Sequence, residues 1–245
     1  MGKYFIKYRL FLLFLVTSVQ INAQETIIEI TKDNFQLNDS VIALRMPELF
    51  IIPLPDKRPE HPYLFFEQKD IPGLRQRVTH PEFRGIWQEI LKDAAFPMNN
   101  KLSIVDQVLP GCLAFNITND TLYGHKAIEI IDTLIARDFS WVKPYPQTPD
   151  LKYMNWDSGE KALAIAYVYD MLHDLLSEEQ KQAYLDALNN RLFQYYIQAH
   201  QIHDTLNKQF FDLTGHFDWW TSVYFSWNSR INGAFGIAAL ATLWE

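Results

Sequence analysis

The 245-residue sequence holds a single cysteine, Cys112, so no disulfide can close within the chain. Its neighbours, Val108-Leu109-Pro110-Gly111-Cys112-Leu113, are apolar, and the thiol reads as a buried structural one. Basic charge is also scarce: 22 Lys+Arg stand against 29 Asp+Glu, a net charge of -7. Phosphate backbones and anionic bilayers attract clustered cations, so this balance argues against nucleic acid or a membrane surface as partner. Beyond the N-terminus no apolar run approaches the roughly 20 residues that a spanning helix needs, and no stable membrane insertion is expected. No helix-borne His-x-x-x-His pair occurs. His200, His203 and Asp204 have a spacing that a metal could use, but they read as a solvated turn at a helix end, so neither metal nor cofactor is expected.

What is present begins with a leader. Lys3, Lys7 and Arg9 give a basic start, Leu10 to Val16 an apolar core, and Asn22-Ala23 a small-residue cleavage site. Residues 1–23 are therefore read as a signal peptide, the alternative being an N-terminal anchor. The mature chain would begin near Gln24, secreted across an inner membrane into the periplasm or beyond. The leader holds three of the 22 basic residues and no acidic ones, leaving 19 Lys+Arg against 29 Asp+Glu, a net charge near -10. No cysteine stands at the end of the leader to take a lipid. About 220 mature residues suit one domain with a sizeable core.

Residues 24–58 look short and β-like. Thr26-Ile27-Ile28-Glu29-Ile30 and Val41-Ile42-Ala43-Leu44 flank the turn-rich Asn38-Asp39-Ser40, and Pro53, Pro55, Pro59 and Pro62 then forbid a helix or a central strand. This reads as an extended arm laid on the main body. Residues 59–245 carry apolar residues at three- and four-residue spacing. Asp70 precedes a short helix through Leu74 and Val78, and Pro81 opens another through Trp87 and Leu91. A third runs from about Thr121 to Ala136. Asp157 or Ser158 caps a fourth through Leu163, Tyr167 and Met171, and Ser177-Glu178-Glu179-Gln180 is a capping-box start for a fifth ending near His200. A last, Ala/Gly-rich helix runs through Gly233, Ala238 and Ala241 with no Gly or Asn cap before Glu245. Alternating helices without strands predict an all-α fold, an incomplete (α/α) toroid of antiparallel helix pairs truncated at its C-terminus.

Three segments carry a resemblance. They are His61-Pro62-Tyr63-Leu64-Phe65-Phe66 followed by Asp70-Ile71-Pro72-Gly73-Leu74-Arg75 and Phe83-Arg84-Gly85-Ile86-Trp87; Ala162 to Asp170 with Leu176-Ser177-Glu178-Glu179-Gln180; and Trp227-Asn228 leading to Gly233 and Ala238-Ala239-Leu240. In order and spacing, over roughly Arg58 to Glu245, the chain resembles the start of the helical domain of heparinase II/III-like and alginate-lyase-like polysaccharide lyases. The resemblance implies more helix pairs, then a β-sandwich domain. It also implies β-elimination on an anionic, uronic-acid-containing polysaccharide or oligosaccharide, a partner that an acidic protein can hold in a local basic pocket.

That chemistry needs a group to neutralise the uronate carboxylate, a base for the carbon-bound proton, and an acid for the leaving oxygen. The resemblance makes Asn228 the neutraliser candidate, against the reading of an Asn N-cap. The chain departs from the family at Ser226, where relatives often carry Asn. Arg230 could hold a carboxylate bidentately or solvate a helix face. Trp219, Trp220 and Trp227 could stack on sugar rings or serve as core. His216 and Tyr224 are acid or base candidates without a partner fixed by sequence. Asp157 and Glu160, three apart, suit a glycoside hydrolase, the rival enzyme reading; at a helix N-terminus the macrodipole alone also favours them. A non-catalytic carbohydrate-binding fragment or pseudo-enzyme is the other rival.

Overall fold

Helix boundaries follow from local chemistry in a computed structural model that describes residues 59–96, 103–137, 141–144, 152–197, 226–243 and 245. Of residues 143–144, 152–153 and 226–229 only the backbone is described. The signal peptide and the arm, residues 1–58, lie outside these ranges. A 3-10 turn, Gln68–Asp70, leads into α1 (Ile71–Val78), which has Pro72 in its first turn. Asp70 accepts from the backbone N–H of Glu67, on the turn rather than on the helix it precedes. Helix α2 (Pro81–Ala95) starts at a proline whose missing N–H costs nothing there, and buries Trp87, Ile90 and Ala94.

Helix α3 (Ile104–Thr118) is absent from the sequence expectations above, and Pro110-Gly111 lies inside it. The structure carries the helix through both residues. Ser103 caps it by accepting from the N–H of Asp106, and Asn119, at φ 63°, ends it in the left-handed conformation that Asn tolerates. Ten of its fifteen residues are buried, Cys112 among them, and this burial outweighs the hydrogen bond that Pro110 cannot donate. Only Asn119-Asp120 separate it from α4 (Thr121–Ala136), where the Asp120 carboxylate accepts from the N–H of Leu122. So short a link makes α3 and α4 an antiparallel hairpin.

A two-residue antiparallel ladder, β1 (Lys143–Pro144) with β2 (Lys152–Tyr153), is the only strand pairing among the described residues. It precedes α5 (Trp156–Met171), whose cap is Asn155, not Asp157 or Ser158. Asn155 Oδ1 accepts from the Ser158 N–H at 2.9 Å, and Ser158 Oγ accepts from the Asn155 N–H at 3.1 Å. This reciprocal pair satisfies two otherwise orphaned donors, and it sets the start of the helix at Trp156, ahead of either expected cap. Helix α5 buries every residue from Ser158 to Met171 except Glu160, the mark of a central element rather than an amphipathic surface one.

A 3-10 turn, His173–Leu175, and the Ser177 capping box then start α6 (Glu178–Leu188), followed by a π-helical turn, Asn189–Phe193. The expected end near His200 lies outside the described residues. Helix α7 (Ser226–Ala241) already includes Ser226 to Arg230. It buries Ile231, Ala234, Phe235, Ala238 and Ala241, one face at helical spacing, against α5. The two helices pack at ordinary contact distance beside Gly159, where a Cβ would stand 3.5 Å from the Ile231 Cα. Helix α7 ends at Ala241, where the Thr242 hydroxyl donates back to the Ala238 carbonyl. The described chain is thus all-α, built on α5 with α3, α4, α6 and α7 packed around it.

Candidate functional site around His61

Asp170 occupies the last turn of α5 with its side chain wholly buried. A carboxylate there requires donors, and an extended segment from the other end of the described chain provides them. His61 Nδ1 lies 2.8 Å from Asp170 Oδ1, the Tyr63 N–H donates to Oδ1 at 3.0 Å, and the Leu64 N–H donates to Oδ2 at 3.1 Å. The same segment reaches α7, since the Tyr63 hydroxyl donates to the carbonyl oxygens of Leu240 and Ala241 at 2.9 and 3.0 Å. Those carbonyls belong to the last turn, where helices leave acceptors unsatisfied. Gln68 Nε2 donates to the His61 carbonyl and holds the segment from the other side.

Around this tie sit three more groups. The His173 ring stacks on His61 with centroids 4.1 Å apart and planes within 15°, and Tyr169 meets both rings edge-on. Glu245 Oε1 stands 3.7 Å from His61 Nε2 and 3.9 Å from His173 Nε2. Because Asp170 is an acceptor, Nδ1 of His61 carries the proton it donates, and Nε2 is the ring's second functional nitrogen. This Nε2 is buried and has no hydrogen-bond partner. Two hollows, about 360 and about 580 Å³, adjoin the cluster, and both are lined by His61, Gln68, His173 and Asp174. Arg75 also lines the smaller one, anchored by Nε donating to the Ile117 carbonyl at 2.6 Å, a cation at the C-terminal end of α3.

Cys112 is fully buried. That burial, then the negative charge of Asp170, pushes its thiol far above the ordinary range and leaves it a packing group. Asn116 supplies the polar link from α3, donating to the Cys112 and Met171 carbonyls at 2.9 Å each.

The residues named from sequence fall elsewhere. His216, Trp219, Trp220 and Tyr224 lie outside the described residues, as do His200, His203 and Asp204. Trp227 and Asn228 belong to the first turn of α7, so the backbone of Asn228 is already helical rather than capping. The Arg230 guanidinium lies over the Trp156 ring, 3.2 Å from its centroid, which joins α7 to the first residue of α5 through a cation–π contact. Asp157 is exposed and paired with Lys161, whose side chain is 95 % covered; the carboxylate serves as counter-ion to a buried ammonium. His61 and Asp170 appeared in sequence only as parts of a resemblance, Glu245 only as an end point, and His173 not at all. They stand up to 184 positions apart, with no periodicity to join them.

Compared with known proteins, the chain matches no family model, no curated sequence and no solved structure.

Proposed function

We propose that the chain carries helices of an (α/α) toroid in a secreted polysaccharide lyase of heparinase II/III-like character, acting by β-elimination on a uronic-acid-containing polymer. One observation carries the reading. The three sequence segments behind the resemblance meet at a single hydrogen-bonded knot, where His61, Tyr63 and Leu64 of the first bind Asp170 of the second, and Tyr63 ties the end of the third at Leu240 and Ala241. Segments that share a buried carboxylate form one structural unit, as expected of blocks belonging together in one domain. Helices joined by short links, α1 to α2 and α3 to α4, agree with a fold built from antiparallel pairs. Asn228 in the first turn of α7 is the carboxylate neutraliser of this scheme, with Trp219, Trp220, Trp227 and Arg230 as sugar contacts and His216 or Tyr224 as acid or base.

The test is to feed alginate, heparan sulfate and pectate to protein expressed from the complete reading frame and to follow the ultraviolet absorbance of unsaturated uronide. The expected result is rising absorbance on at least one polymer, with Asn228→Ala lowering kcat about 100-fold, as for removal of one donor to a developing oxyanion. New reducing ends without that absorbance would mean hydrolysis and would end the lyase reading. Binding without any cleavage would favour the carbohydrate-binding rival.

A further inference from the structure

We infer that His61, His173 and Glu245 form a binding site for a divalent transition-metal ion of the zinc class. The inference does not rest on the lyase reading. The ligand atoms of the three residues all lie within 4.8 Å of one another, and the donor set of two imidazoles and one carboxylate is one that zinc favours when it keeps a position open.

The independent observation is the state of His61. Its side chain is 95 % covered, and its Nδ1 is committed to Asp170 at 2.8 Å. That arrangement leaves a lone pair on Nε2, the atom without a hydrogen-bond partner. The lone pair faces the Glu245 carboxylate across 3.7 Å, acceptor toward acceptor, too far for a hydrogen bond and short enough for one cation to lie between them. A carboxylate behind a histidine, fixing its tautomer and ring orientation, is the arrangement that orients metal-ligating imidazoles. Here Asp170 fills that role, and its two backbone donors hold it in place.

Tetrahedral coordination at bonds of about 2.0–2.1 Å needs ligand atoms roughly 3.3 Å apart. The Nε2 to carboxylate separations of 3.7 and 3.9 Å therefore close by about half an ångström. His61 is anchored and stays. His173, on a three-residue 3-10 turn, tilts out of its stack to present Nε2, and Glu245, just past the end of α7, follows. The fourth position opens toward the hollows that His61, His173 and Asp174 line, so water or an anionic group reaches the ion from solvent. The bound ion fastens the His61 segment, the turn after α5 and the end of α7 together.

Calorimetric titration of the metal-stripped full chain with zinc at neutral pH tests the site, with cobalt as a spectroscopic probe. The expected result is one site of micromolar affinity or tighter, visible cobalt bands of four-coordinate intensity, and a higher Tm with zinc. Glu245→Gln and His173→Gln should each weaken binding at least tenfold and remove the cobalt bands, while His200→Gln/His203→Gln leaves both intact. Variants that keep the parent's circular dichroism make the comparison valid even if His61→Ala fails to fold. No micromolar site, or one that survives Glu245→Gln and His173→Gln, or one lost in His200→Gln/His203→Gln, would overturn the proposal.

Discussion

Tyr184 shows how a single polar residue is accommodated in this core. Its ring is almost wholly buried, and its hydroxyl donates to Asp132 Oδ1 at 2.8 Å, joining α6 to α4. Burial first, and the Asp132 carboxylate second, raise the phenol's pKa well above its ordinary 10.0. The sign of the resulting pH effect follows directly. The folded state keeps the proton that the unfolded chain releases near pH 10, so the stabilisation is complete below that pH and is lost as pH climbs toward the folded value. Tyr184→Phe should cost about 1.5–3 kcal/mol at neutral pH, the range for a hydrogen bond to a charged group. It should also flatten the decline in stability above pH 10. Urea melts of both proteins at pH 7 and pH 10.5 measure the two effects, and equal declines in both would show that Tyr184 is not their source. Tyr196, raised by burial alone, contributes in the same direction. The tie was not legible in the sequence, because Asp132 and Tyr184 are 52 residues apart and each is ordinary in its own helix.

Among the elements, α3 and α5 teach the most about reading helices from a chain. Amphipathic spacing identified α1, α2 and α4, whose apolar residues lie on one face. It failed at α3, where apolar residues surround the helix and Pro110-Gly111 lies within it. The pair has a packing role: a Cβ on Gly111 would stand 2.8 Å from the Tyr123 carbonyl oxygen of α4 and 3.1 Å from the Ala127 Cβ. Backbone cannot yield as a flexible side chain can, so Gly111→Ala should destabilise by about 1–3 kcal/mol despite alanine's better helix propensity. Gly73 in α1 is the control, with nothing within 4 Å of its would-be Cβ. Gly73→Ala should stabilise by about 0.4–1 kcal/mol, through the unfolded chain's lost freedom. Opposite shifts in Tm check the pair, and a stabilising Gly111→Ala would mean that α3 and α4 do not approach this closely. At α5 the error was smaller. Acidic Asp157 looked like a cap, while Asn155 makes the reciprocal bonds and Asp157 pairs with Lys161.

At the scale of the whole molecule, class was readable and convergence was not. Periodicity and capping residues mark helices locally, so an all-α fold follows from the chain itself. The meeting of His61, Asp170, His173 and Glu245 depends on how α5 and α7 pack, which no local pattern encodes. That packing also distributes stability. Helix α5 has neighbours on every side and buries nearly all its residues, whereas α6 buries only Tyr184, Ala187 and Leu188. Opening α6 removes one exposed layer, but opening α5 also separates α3, α4 and α7. Backbone amides of residues 162–171 should therefore exchange with solvent only through global unfolding, and those of 182–188 through a cheaper partial opening. Hydrogen exchange read by mass spectrometry across a denaturant series separates the two. The α5 amides should follow the full denaturant dependence of global unfolding, and those of α6 a shallower one. Exchange in α5 as fast as in α6 would mean that the buried helix is not the centre on which the others rest.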